Sequence, residues 1–279
     1  MTSMSGIIEP GATLQQLGTG YSFTEGPAVD KHGNVYFTDQ PNDRIMRWDV
    51  DGTITEWKKP AGRSNGMTFD HKGNLISCAD GGNELWSIAP DGKVTVLVKD
   101  FGGKLLNGPN DVWVRPDNGM YFTDPLYVRD YWTRDPAMQQ TGRNVYFLSA
   151  DHKVLRPVDV DMKQPNGLVG TKDGKTLYVS DIDGGKTYRY HIEPDGSLSQ
   201  KHLFCELGSD GMTLDNEGNL YLTGHGVTVF DKTGKQIEHI DIKEGWTANI
   251  TFAGKDRHLL FITASKSVYG LRMRVHGIQ

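Results

Sequence analysis

Residues 25–39 read EGPAVDKHGNVYFTD, and the same frame returns five more times along a chain of 279 residues. The copies are NGMTFDHKGNLISCAD from Asn65, NDVWVRPDNGMYFTD from Asn110, NGLVGTKDGKTLYVSD from Asn166, DGMTLDNEGNLYLTG from Asp210 and NITFAGKDRHLLFIT from Asn249. Their first residues stand 40, 45, 56, 44 and 39 positions apart. A period of about 40–50 residues carrying several short strands marks a β-propeller. The spacing therefore predicts an all-β, six-bladed propeller occupying residues 1–279 as a single domain.

Each copy alternates apolar and polar residues with period two, as a strand with one buried face must. In the first copy the inner strand is expected at Pro27–Asp30, a second at Asn34–Thr38, a third at Arg44–Asp49 and a fourth at Thr53–Lys58. Four antiparallel strands make a blade. Gly is 34 of 279 residues, concentrated in D-G, N-G and G-G dipeptides that read as tight turns. The sixth copy runs short, with strands at Asn249–Ala253, His258–Thr263 and Val268–Val275. Its missing outer strand is assigned to the N-terminal segment Thr13–Leu17, which closes the ring and removes an exposed edge.

Bulk properties exclude several classes. The net charge is −5 and Lys and Arg are dispersed, so no basic face for nucleic acid or anionic membrane is expected. The first residues, MTSMSGIIEPGATLQQ, carry neither a basic segment nor a long apolar run, so a cytoplasmic protein with no membrane association is expected. Cys78 and Cys205 lack metal-ligand spacing and read as buried thiols. Asn249-Ile-Thr is a formal glycosylation sequon, discounted because it falls inside a strand.

Inner strands of a propeller run along its channel, so the six opening residues ring one mouth. Two are carboxylates, Glu25 and Asp210, and confining two unpaired charges is unfavourable unless a cation joins them. The other four are Asn amides. An all-oxygen set points to Ca²⁺, or to Mg²⁺ or Mn²⁺, rather than Zn²⁺. Taken singly, Asn or Asp before Gly is also an ordinary turn residue; Glu25, before Gly26-Pro27, has no such role. The long third repeat inserts PLYVRDYWTRDPAMQQTG, Pro125–Gly142, on the same face, and a loop of this length with Tyr127, Arg129, Tyr131, Trp132 and Arg134 reads as an active-face lid. His225, after the second strand of the fifth unit, is either a substrate contact or an exposed loop residue. Asp39, Asp80, Asp124 and Asp181 end second strands at matching places and are expected to hydrogen-bond between blades, with Asp124, bordering the lid, also a candidate for substrate contact.

Glu25-Gly26-Pro27, Pro109-Asn110-Asp111, Pro165-Asn166-Gly167 and Ser209-Asp210-Gly211, in this order, resemble the gluconolactonase/SMP-30 (regucalcin-like) family. The resemblance covers Tyr21 to Met273 and extends to Tyr121–Pro125, Asp173–Asp181 and Leu260–Ser265. It implies a six-bladed propeller with one divalent cation, most simply Ca²⁺, held by Glu25, Asn166 and Asp210. Asn110 is then a fourth ligand or a substrate-facing neighbour, and Asp210 doubles as the acid/base residue. Asn65 and Asn249 keep a turn role or line the wall, Asn65 within reach of substrate. Lactonases of this family acting on sugar acids carry an Arg two residues before the Asn matching Asn110. Here that place is Gly108, so a substrate carboxylate or hydroxyl would need Arg129 or Arg134. The expected activity is hydrolysis of a small sugar lactone, without a covalent enzyme intermediate. A phosphotriesterase of the diisopropylfluorophosphatase kind and a non-catalytic binding propeller are the alternatives.

Overall fold

The computed structural model describes residues 5–279, folded as six four-stranded antiparallel sheets in sequence order around a ring. The first blade is Thr24–Val29, Val35–Asp39, Arg44–Trp48 and Ile54–Lys58. The expected boundaries hold to within three residues, the largest shift being the inner strand, which starts at Thr24 and so includes Glu25. Four further blades begin at Ser64–Phe69, Val112–Val114, Pro165–Gly170 and Met212–Leu214. Thr247–Ala253, Leu259–Ala264 and Ser267–Arg272 make three strands of the sixth, and Gln15–Thr19 supplies its outer strand. That strand pairs antiparallel with Ser267–Arg272, Gln15 opposite Gly270 and Thr19 opposite Ser267. The N-terminal closure lies two residues beyond the segment expected from sequence.

The core lies between blades. Val35, Phe37, Met46 and Trp48 of blade one pack on Phe261 and Val268 of blade six, with Leu17 of the closing strand against the same cluster. The Phe37 and Phe261 ring centroids are 5.8 Å apart. Burying each such side chain contributes about 1.5–3 kcal/mol, so the joint between first and last blades is held by core and not by strand pairing alone. Cys78 and Cys205 are buried free thiols. Among the described residues no helix is long and apolar enough to cross a membrane.

Two corrections concern how neighbouring blades are tied together. The N-G and D-G dipeptides at the openings are not turns but lie in or just before the inner strands. A Cβ on Gly66 would stand 2.5 Å from the Asn110 carbonyl oxygen, and one on Gly167 2.7 Å from that of Asp210. Glycine is required because adjacent inner strands approach that closely; Gly66 N–H donates to the Asn110 carbonyl at 2.7 Å.

Of the four strand-ending aspartates expected to bond between blades, Asp39, Asp124 and Asp181 do not. Asp39 accepts from the N–H groups of Ser22 and Phe23, Asp124 from Asn107 and Gly108, and Asp181 from Lys163 and Gln164. Each thereby ties its own second strand to the loop leading into its own inner strand. The bond between blades comes from the preceding hydroxyl. Thr38 donates to the Asn65 carbonyl, Thr123 to Asn166 at 2.8 Å and Thr223 to Ala248 at 2.8 Å. A β-hydroxyl is short enough to reach across at this spacing, whereas the longer carboxylate turns back to satisfy backbone donors.

Candidate functional site

The inner strands break register at the openings. Bulges fall between Glu25 and Ala28, Ser64 and Met67, Pro165 and Leu168, and Thr247 and Asn249. A bulge re-aims side chains without ending the strand, and here it turns the opening residues toward the channel. Glu25 is 1% exposed and Asn166 2%, while Asp210 is half-buried and opens onto the mouth.

The buried acids crowd each other. Burial, reinforced by the charges of Asp210 and Asp111, holds the Glu25 carboxyl well above the usual carboxylate range. Its Oε2 accepts from Asn249 Nδ2 at 3.1 Å. Burial likewise raises Asp210, against hydrogen bonds from Trp246 and Asn166 and the charge of Arg129. Trp246 Nε1 donates to Asp210 Oδ2 at 2.7 Å. Asp111 is pushed up to about 8 by burial, with Val112 N–H and Asn249 opposing. The sequence reading singled out neither Asp111 nor Trp246. Asp111 sits inside a quoted triplet beside Asn110 and could have been taken from it. Trp246 lies outside every copy of the repeat and left no signal.

The amides supply the remaining oxygens. Asn166 Nδ2 donates to the Tyr127 hydroxyl at 3.0 Å, and its Oδ1 is buried with no hydrogen-bond partner among the described residues. Asn65 Oδ1 is buried and unpartnered in the same sense. A buried, unpaired oxygen beside two desolvated carboxylates is a donor set suited to a hard cation, which would relieve the repulsion and the missing bond together. Among the described residues no three His, Cys, Asp or Glu side chains cluster in metal-binding geometry. Two carboxylates with amides form a set of another composition. Asn110 is buried, with its N–H on the Thr123 carbonyl at 2.8 Å.

The 125–142 segment reaches this mouth without a strand of its own. Tyr127 touches Asn166, and the Arg129 guanidinium lies 5.1 Å from the Tyr127 ring centroid. Asp80 alone of the four bonds between blades as expected, accepting from Gln40 Nε2 of blade one at 3.5 Å and anchoring the blade-three segment. Its Oδ2 accepts from Tyr131 OH at 2.8 Å and Trp132 Nε1 at 3.3 Å, and Arg129 Nε approaches it at 3.5 Å. Gly108, at φ +138°, leaves the space that Asp80 fills, since a Cβ there would stand 2.5 Å from Asp80 Oδ1. Arg134 donates to the Asn107 carbonyl at 2.9 Å and stacks on Trp132, so its guanidinium is committed to the loop. Of the two arginines expected to serve a substrate, Arg129 is the one aimed at an open cleft. Asp124 is fully buried, with both oxygens on backbone N–H groups. It supports the loop carrying Gly108 rather than facing the mouth. His225 is exposed, its ring 5.3 Å from Trp246 and edge-on to it.

A six-bladed propeller whose channel mouth gathers buried carboxylates and amides under a single long loop defines the class. The chain belongs to the SMP-30/Gluconolactonase/LRE-like family, whose model matches residues 23–266. It is 25% identical to a gluconolactonase of Zymomonas mobilis, over 98% of this chain and 85% of that protein. It is 27% identical to regucalcin of Xenopus laevis, over 88% and 84% of the two chains. A gluconolactonase structure from Xanthomonas campestris superposes with a TM-score of 0.88 at 29% identity, covering 98% of this chain and 92% of that one. The calcium-binding protein regucalcin of Agrobacterium tumefaciens shares the fold, with a TM-score of 0.78 at 19% identity over 95% of each chain.

Proposed function

We infer that this protein is a lactonase, opening a small sugar-type lactone with water at the Glu25–Asn166–Asp210 mouth and using one divalent cation. The observation that carries this is the buried, unpartnered Asn166 Oδ1 beside two carboxylates that burial, and for Glu25 also the Asp210 charge, hold in an unfavourable state. Family membership, with relatives named as gluconolactonases, supports the substrate class. Glu25, Asn166 and Asp210 would hold the cation, with Asn110 as a fourth oxygen ligand or a contact to substrate. Ca²⁺ suits an all-oxygen set, and when bound the ion supplies Lewis-acid polarisation of the ester carbonyl.

The residues of the chain do the rest. Asp210 accepts the proton of the attacking water as general base. Trp246 holds Oδ2, which fixes the carboxylate in place at the mouth. The proton then passes to the ring oxygen as the acyl C–O bond breaks, giving a hydroxy acid. Tyr127 holds the Asn166 amide in one orientation, and the 125–142 segment serves as a lid that limits water at the mouth. Asn65 lines the wall next to the lactone ring.

A paired assay tests this. Purified protein is offered glucono-1,5-lactone and diisopropyl fluorophosphate, with Asp210→Asn as control. Acid release from the lactone alone, lost in the variant, is the expected result. Turnover of the phosphoester alone would assign the site to phosphotriester hydrolysis, and turnover of neither would favour a binding propeller.

A further inference from the structure

The lid does more than cover the mouth. Between it and the top loops of blades one and two lies a cleft of about 640 Å³, lined by Phe23, Gln40, Pro41, Arg63, Arg129 and Tyr131. Phe23 and Gln40 flank the strands that carry Glu25 and Asp39, so the cleft adjoins the channel mouth. Its two arginines come from different places: Arg63 from the loop ahead of the second inner strand, Arg129 from the lid. Both are held by aromatic faces. Arg63 lies over the Tyr131 ring at 4.5 Å and Arg129 over Tyr127 at 5.1 Å, which fixes each plane while leaving edge N–H groups for a ligand.

Neither cation is fully matched. Arg129 meets one acid, Asp80, at 3.5 Å, and its Nε is buried with no hydrogen bond among the described residues. Asp80 is shared with Tyr131, Trp132 and Gln40 as well as Arg129, so its charge is spread over four donors. Arg63 donates to the Pro41 carbonyl and meets no carboxylate among the described residues. The one other acid at the cleft, Asp130, is exposed. Two arginines lining one cleft suit a planar or tetrahedral oxyanion. Arg129 lies over Tyr127, whose hydroxyl meets the Asn166 amide at 3.0 Å, so this positive cleft borders the proposed site.

We propose that the lactone turned over at this site carries an anionic substituent, a carboxylate or a phosphate, and that Arg63 and Arg129 bind it in the cleft beneath the lid. This rests on the lactonase reading and narrows it from neutral sugar lactones to acidic ones. The ring ester lies over Asp210 and the anion reaches back between Tyr131 and Phe23. Arg63 and Arg129 are binding residues for the substituent and take no part in the proton transfers.

The experiment compares glucono-1,5-lactone, glucaro-1,4-lactone and 6-phosphoglucono-1,5-lactone as substrates of the wild-type protein and of Arg63→Gln, Arg63→Lys and Arg129→Gln. Calorimetric titration with gluconate, glucarate and 6-phosphogluconate accompanies the kinetics. The expected result is that one anionic lactone exceeds the neutral one in kcat/KM by about tenfold or more, through KM, as a paired charge-assisted contact would give. Preference for the glucaro compound identifies a carboxylate, and for the phospho compound a phosphate. Arg63→Gln and Arg129→Gln should collapse the anionic-to-neutral ratio toward one, and Arg63→Lys should restore part of it. Equal or better turnover of the neutral lactone, or a ratio indifferent to both Gln variants, overturns the proposal while leaving the lactonase reading in place. If no lactone is turned over, tighter binding of glucarate or 6-phosphogluconate than of gluconate, lost in both Gln variants, still supports the cleft. Equal binding of all three acids overturns it.

Discussion

The indole N–H of Trp246 sits 2.7 Å from Oδ2 of Asp210, across 36 residues of sequence and from the loop that enters the next blade. It joins blade five to blade six at the channel mouth. His225 packs edge-on against the same indole and holds it in place. Trp246→Phe keeps the ring and removes the donor. It should lower kcat by about tenfold, the value of one hydrogen bond to a charged group, with KM and thermal unfolding little changed. Steady-state kinetics beside a melting curve checks this, and a loss confined to KM would argue that Trp246 contacts substrate instead.

Asp210→Asn removes the proton acceptor and keeps the shape. Turnover should fall by about 10²–10⁴. Far-ultraviolet circular dichroism should match the parent, because the side chain holds no backbone donor of the fold.

Glu25 is destabilised by burial and by the charges of Asp210 and Asp111. In protein treated with chelator, Glu25→Gln should therefore melt at or above the parent temperature. Adding Ca²⁺ should raise the parent's melting temperature by linkage and move the variant little. Equal shifts in both proteins would place the ion elsewhere.

Gly66 has Asn110 O and Asp111 Oδ1 against the position a Cβ would take. Gly66→Ala forces adjacent inner strands apart and should cost about 3 kcal/mol or more, as overpacking of a rigid contact does. Denaturant unfolding measures it. A change below ~1 kcal/mol would mean that the inner strands can yield.

Removal of residues 1–20 takes away the outer strand of blade six and the Leu17 contact with the core shared with blade one. The melting temperature should fall by about 5 °C or more, and the bared edge should promote association. Unchanged melting would show that the ring closes through its core alone.

The blade count and strand order were legible because each copy repeats one alternation and one turn, and a closed ring is the arrangement that buries all six equivalent faces. The opening positions were legible for the same reason, since register brings all six to one mouth, whereas the choice of Glu25, Asn166 and Asp210 among them rested on the family resemblance. Side-chain reach was not legible. Thr38 and Asp39 are adjacent, yet the hydroxyl crosses to the next blade and the carboxylate turns back, a difference set by length and backbone direction. Nor could a repeat disclose what stands outside it. Trp246, Arg63 and the switch of Asp80 from loop tie to lid anchor depend on non-repeating loops meeting across the ring. The N-G dipeptides misled as turns because a turn and a close strand approach both demand a residue without Cβ.

The central claim, a lactonase whose Glu25–Asn166–Asp210 set works with a divalent cation, is tested most directly by acid release from glucono-1,5-lactone before and after exhaustive chelation. Corrected for spontaneous ring opening, the rate should fall by about two orders of magnitude or more on chelation and return when Ca²⁺ is restored. A metal-stripped protein that keeps its full rate would contradict it.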